Sequence, residues 1–213
     1  MMWAGLLTAS AGGAAAADQA PAPAEYRQDF SRAEVGKLPE GLMLIEGSFT
    51  IREEDGNRFL ELPGAPLESF GVMFGSSGQV DWGAQARFFG TGKGRRFPVF
   101  GVSVNSIGGY RLQVAPAKKA LELMKGDVVK ATVPFEWASG TWTVLRIEVA
   151  KAGEKAWVVR GKAWQDGGPE PADWLIRWEE TEMPIAGRAA IWSMPFSGTP
   201  IRCDDLRIYR VGT

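Results

Sequence analysis

From Asp29 onward, apolar and polar residues alternate with a period of two, run after run. An extended backbone points successive side chains to opposite sides, so this pattern dictates strands with one buried face and one wet face. DWGAQARFFG (81–90) puts Ala84, Ala86 and Phe88 on one face and Gln85, Arg87 and Phe89 on the other. FPVFGVSVN (97–105) turns Phe100, Val102 and Val104 inward and Ser103 and Asn105 outward. GYRLQVA (109–115) buries Tyr110, Leu112 and Val114 and shows Arg111 and Gln113, and KALELMK (119–125) buries Leu121 and Leu123 and shows Glu122. TWTVLRIEVA (141–150) continues the series with Leu145, Ile147 and Val149 against Arg146 and Glu148. The stretches 155–164, 187–194 and 204–211 follow the same rule. GSFTIREED (47–55) and NRFLELPG (57–64) flank Asp55-Gly56, a turn pair that predicts a hairpin. About a dozen short strands separated by Gly, Pro, Asn and Asp predict an all-β antiparallel sandwich or barrel. No stretch has a sustained helical period.

Composition narrows the chemistry. The 213 residues carry 24 basic and 25 acidic side chains, so no basic stripe argues for nucleic acid. Neutral sugars and proteins stay open as partners. The chain has no histidine, which removes histidine-based triads, histidine-ligated zinc and histidine acid–base work together. Its one cysteine, Cys203, has no intrachain partner and reads as a small buried hydrophobe. The opening MMWAGLLTASAGGAAAAD is apolar and rich in small residues, too short and weak to span a bilayer. Ala15-Ala16-Ala17 before Asp18 has the form of an A-x-A cleavage site, although no Lys or Arg precedes the apolar stretch. We expect residues 1–17 to be a signal peptide and 18–25 a flexible Ala/Pro spacer. One domain over 26–213, exported to the periplasm or exterior, then completes the chain.

Four segments together carry a resemblance. DFSRAEVGKLPEGLMLIEGSFTIREEDGNRFLEL (29–62) holds an Asp-Phe strand, the turn GKLPEG and two further strands. GTWTVLRIEV (140–149), KAWQDGGPEPADW (162–174) and CDDLRIYRV (203–211) follow in order. This order resembles the concanavalin A-like lectin/glucanase superfamily, in its laminin-G-like bacterial branch. The resemblance implies a two-sheet antiparallel jelly roll with one concave face. The 3-keto-disaccharide hydrolases lie in this neighbourhood. The chain departs from them at ARFFGTGKGRRF (86–97), where a Gly-Asn-Ser/Gly-Gly strand would stand, and in its lack of histidine.

Glycosidase chemistry needs two carboxylates on one face, about 5–5.5 Å apart in retaining enzymes, and two clusters are candidates. Glu53-Glu54-Asp55 runs into a turn and lacks a last carboxylate, and EETE (179–182) reads as a loop. Both read as solvated surface charge. GTGKGRR (90–96) lacks the Ser or Thr and the helix of a phosphate loop and reads as a basic hairpin tip. Asp29, Asp204 and Asp205 read first as strand-end caps and surface charge. Because related jelly rolls often bind calcium between their first and last strands, Asp29 with Asp204 or Asp205 is also the candidate site for structural calcium that the resemblance implies.

If the strands pack as in the resembled fold, Arg87, Asn105, Arg111, Gln113, Glu122, Lys162, Trp164 and Trp192 share the concave surface. Polar side chains beside an indole suit a sugar, which needs hydrogen bonds to its hydroxyls and stacking under its C–H face. Trp164 and Trp192 fall on polar faces by alternation, whereas Trp157, Trp174 and Trp178 read as core or loop pins. The expected function is non-catalytic binding of a carbohydrate or cell-envelope component. A carbohydrate-active hydrolase and a structural or adhesive surface protein remain the alternatives.

Overall fold

The alternating runs form strands in the computed structural model, which describes residues 25–212. The leader and nearly all of the spacer lie outside the described residues. In chain order the strands are β1 (Glu25–Gln28), β2 (Met43–Glu46), β3 (Thr50–Glu54), β4 (Asn57–Leu62) and β5 (Phe70–Gly78). Next come β6 (Trp82–Phe89), β7 (Val99–Val104), β8 (Tyr110–Ala115), β9 (Ala120–Lys125) and β10 (Val128–Pro134). The last five are β11 (Trp142–Gly153), β12 (Ala156–Gln165), β13 (Ile176–Glu180), β14 (Gly187–Met194) and β15 (Ile201–Arg210). A single 3-10 turn, Pro116–Lys118, joins β8 to β9. No helix among the described residues is long and apolar enough to cross a membrane.

The pairing is antiparallel throughout and makes a two-sheet sandwich. An eight-stranded sheet runs β13-β12-β11-β6-β15-β4-β3, with β1 also paired to β15. A seven-stranded sheet runs β10-β9-β8-β7-β14-β5-β2. The expected hairpin is β3–β4. Its turn places Asp55 at φ 52° and Gly56 at φ 77°, the left-handed pair that lets two strands reverse with their native twist. The chain changes sheets between β6 and β7, at the GTGKGRR tip, and returns between β10 and β11.

The inward residues meet as alternation requires. Ala84, Ala86, Phe88, Leu145 and Ile147 of one sheet face Phe100, Val102, Leu112, Leu121 and Ile191 of the other, all fully buried. Phe88 stacks on Phe100 with ring centroids 5.1 Å apart. Each of these side chains larger than alanine stabilises the fold by about 1.5–3 kcal/mol through removal of apolar surface from water. Cys203 is buried among them, as expected, and burial pushes its thiol up to about 12, so it is inert as a nucleophile.

One expectation fails inside the sandwich. Glu180, read as solvated loop charge, lies at the end of β13 and is 2% exposed. It points inward, where Tyr110 of the other sheet donates to its Oε2 at 2.7 Å. Lys125 pairs with the same oxygen at 2.8 Å, and the backbone N–H groups of Thr181 and Glu182 donate to Oε1. Burial alone would raise its pKa. The donations from Lys125, the Glu182 backbone and Tyr110 outweigh burial and hold the carboxyl below its ordinary value. A buried carboxylate thus ties the two sheets together, because every one of its neighbours is a donor.

Candidate ligand-binding face

Each sheet leaves one face outward, and the expected site residues divide between the two. Arg87, Lys162 and Trp164 stand on the eight-stranded sheet, whereas Arg111, Gln113, Glu122 and Trp192 stand on the seven-stranded sheet. They therefore do not share one surface, which corrects the expectation from sequence. Alternation tells inside from outside within a strand, but it carries no information on which of two outsides a residue joins.

On the eight-stranded sheet the arginines are paired with carboxylates, although Tyr209 Oη is buried without a hydrogen bond. Arg87 is the hub. Its Nη2 donates to Asp204 Oδ2 at 2.7 Å and its Nη1 to Asp166 Oδ2 at 2.8 Å. Its Nε lies 2.8 Å from Asp205 Oδ2, and its guanidinium lies 4.6 Å over the Trp142 ring. Burial raises the pKa of Asp204, and the donations from Asn57 and Arg87 oppose that rise. Arg146 repeats the theme, donating to Gln85 and Glu170 and stacking on Trp164 and Tyr209.

The Lys162–Trp174 segment closes over its own strand. Asp166 bonds Arg87, Glu170 pairs with Arg146 and Lys162, and the Pro171 carbonyl accepts from Lys162 Nζ at 2.9 Å. Trp174 then lies 4.7 Å from the Arg160 guanidinium and 4.8 Å from Lys162 Nζ. Trp174 is a loop pin as expected, but it pins through cations on the outer face and not through the core. Lys162 is spent in this strap and is 6% exposed, so it presents nothing to a ligand. Trp164 is half-buried on the polar face, as its parity requires.

The acids expected at a calcium site are near one another but differently employed. Asp29 and Asp205 line one cavity of about 130 Å³ with Arg27, Gln28, Leu206 and Arg207. Asp29 Oδ1 accepts from the Ser31 backbone N–H and hydroxyl, and Asp204 Oδ2 is held by Arg87 and Asn57. Calcium takes six to eight oxygens. No group of three metal-ligating side chains occurs among the described residues, and arginines line the same cavity. These residues do not fit a calcium cage.

The seven-stranded sheet is built differently. Trp192 on β14 is flanked by Gly101 on β7 and Gly71 on β5. A Cβ on Gly71 would come within 3.1 Å of the indole, so the ring lies over that strand only because glycine is there. The indole Nε1 donates to Ser103 Oγ at 2.8 Å. The Arg111 guanidinium lies 5.2 Å over the ring. Trp192 is consequently 8% exposed: it is the floor beneath Arg111 and not the open platform expected from its parity. Gln113 Nε2 donates to Glu122 Oε2 at 2.8 Å, and Lys118 Nζ holds Glu122 Oε1 at 2.7 Å.

This face leaves polar atoms unmatched. Gln113 Oε1 and Arg111 Nε are buried without a hydrogen-bond partner. Arg111 Nη2 donates only to Met124 Sδ, at 3.2 Å, a weak acceptor. Desolvation lowers the Arg111 pKa against the attraction of Asp127 and Glu122. Asn105 does not belong here. It ends β7 with φ 64°, is fully buried, and its Nδ2 donates to the Gln79 and Ile185 carbonyls, so it clamps two loops. Ser103, Met124, Gly71 and Gly101 are the site residues that sequence reasoning passed over. Gly101 was readable, because alternation already put it outward beside Ser103.

No protein-family model and no curated protein matches the sequence, so the hydrolase neighbourhood gains no support. Similarity to solved structures is extensive at low identity. A Bacillus subtilis protein of unknown function with a galectin-like fold matches with TM-score 0.62 and 11% identity, covering 87% of this chain and 94% of its own. The carbohydrate-binding module CBM66 from Bacillus subtilis matches with TM-score 0.54 and 12% identity, over 78% and 94%. The Crh5 transglycosylase in complex with NAG matches with TM-score 0.58 and 10% identity, over 90% and 85%. The chain therefore shares the galectin-like two-sheet sandwich fold of these structures.

Proposed function

We propose that this protein is a non-catalytic carbohydrate-binding jelly roll, with its ligand face on the outside of the seven-stranded sheet. The observation that carries this reading is Arg111, half-buried and laid over Trp192, with no carboxylate paired to it among the described residues and its Nη2 meeting only the weak acceptor Met124 Sδ. Sugar oxygens are better acceptors for the terminal N–H groups of this guanidinium than a thioether sulfur is. Fold neighbours named for carbohydrate binding and for a sugar complex support the class of ligand.

Two-carboxylate catalysis is not supported on this face. The strands of the seven-stranded sheet carry Glu122 on β9 and Glu46 on β2 as their carboxylates. Five strand spacings separate β9 from β2, roughly 24 Å at 4.8 Å each and well beyond the 5–10 Å of a glycosidase pair. The cell-envelope setting expected from the leader belongs to the same proposal. An array of neutral and acidic oligosaccharides probed with the full chain tests the reading. Binding that Arg111→Met abolishes while the fold is kept supports it. Binding indifferent to Arg111 overturns it.

A further inference from the structure

Arg111 lacks the paired carboxylate that the arginines of the other face have, and that lack names a feature of the ligand. On the opposite face Arg87, Arg146, Arg160 and Arg202 each hold a carboxylate. Among the described residues no carboxylate is paired with Arg111, and Asp127 and Glu122 reach it only through their longer-range fields. Glu122 is itself held by Lys118 and Gln113. Arg111 is thus an arginine of this face with no paired counter-charge among the described residues. The guanidinium spends its flat side on the Trp192 ring, which leaves its in-plane N–H edge as the remaining means of recognition. With Nε enclosed, the Nη1/Nη2 end is the rigid fork matched to two oxygens of an oxyanion, and among the described residues Met124 Sδ is its one hydrogen-bond acceptor.

We infer that the sugar bound at this face carries an oxyanion, a uronate carboxylate or a sulfate ester, seated on the Arg111 fork above Trp192. The inference rests on the sugar-binding reading above and adds a charge requirement to it. The anion lies in the plane of the guanidinium, beside the indole–guanidinium stack. Lys118, 65% exposed at the rim, adds a second positive field to the approach.

Calorimetric titration of the full chain tests this with three probes: a galacturonate tetrasaccharide, its carboxyl-reduced counterpart and a sulfated galactan tetrasaccharide. The expected result is at least tenfold tighter binding of an anionic probe than of the neutral one. Preference for the first or the third identifies carboxylate or sulfate as the source. Arg111→Met should erase that preference, and Arg111→Lys, which keeps charge but not the fork, should erase most of it. Equal binding of all three probes, each weakened by Arg111→Met, overturns the oxyanion and leaves the sugar face standing. Binding that survives Arg111→Met unchanged, or no binding in any arm, overturns both. The comparison among probes uses the unsubstituted protein, so it stands even if a variant fails to fold.

Discussion

The outsides of the two sheets have similar ingredients and opposite bookkeeping. On the eight-stranded sheet, arginines lie over indoles with carboxylates closing their edges: Arg87 over Trp142 with Asp166, Asp204 and Asp205, and Arg146 over Trp164 with Glu170. On the seven-stranded sheet, Arg111 lies over Trp192 with no carboxylate on its edge among the described residues. The same cation–indole pair is a structural rivet when the chain supplies the anion and a binding element when it does not. Residue type alone does not separate a pin from a site; the state of the remaining donors does.

If that distinction holds, removing the two central arginines has opposite consequences. Arg87→Met leaves Asp204, 1% exposed, without its counter-charge, and should cost about 3 kcal/mol in urea unfolding, as broken buried pairs do. Arg111→Met should stay within about 1 kcal/mol of the parent. Equal losses would erase the contrast between the faces. Trp174→Ala removes the pin from Arg160 and Lys162 and should cost about 2 kcal/mol, the upper range of cation–π contacts shielded from water. That is less than a core indole costs, because Trp174 is only half-buried. A loss of 4 kcal/mol or more, on the order of a core aromatic deletion, would place it functionally in the core.

The interior offers a pH test of its own. Glu180 has a depressed folded pKa, so the stability it contributes is fully present above the ordinary glutamate value of 4.5 and is lost as pH falls through the folded value. Urea unfolding across this acid range should show a stability loss of about 1 kcal/mol, the net worth of a typical hydrogen bond, that Glu180→Gln flattens. Parallel pH profiles for the two proteins would contradict the buried cross-sheet carboxylate. The smallest effect is expected with calcium. Melting curves with calcium and with chelator should coincide, and a rise with calcium would show that Asp29 and Asp205 hold an ion beside Arg27 and Arg207.

Much of the fold was legible in the alternation. Leu112, Leu121, Ile147 and their neighbours point inward as read, and the Asp55-Gly56 turn is where the dipeptide put it. β5 was missed because FGVMFGSSG is interrupted by glycines that break the pattern. The site was half legible. Arg111, Gln113, Glu122 and Trp192 were correctly read as outward and do come together, because β8 and β9 form a hairpin and β7 joins them to β14. Arg87 and Lys162 were grouped with them because both also read outward. The crossing at the GTGKGRR tip, which sends β6 and β7 to different sheets, leaves no mark in the parity of either strand. The burial of Trp192 was illegible for a related reason: it depends on Arg111 from a strand two places away in the sheet.

The account rests most on the claim that the outer face of the seven-stranded sheet is the ligand face. One array of neutral and acidic oligosaccharides, probed in parallel with the parent chain, Arg111→Met and Arg202→Met, tests it directly. Arg202 is the control, a cation of the opposite face that is paired with Glu54 and stacked on Phe59. The expected result is binding by the parent and by Arg202→Met and its loss in Arg111→Met, with all three proteins folded. Loss in Arg202→Met with retention in Arg111→Met would move the ligand to the other sheet and contradict the account.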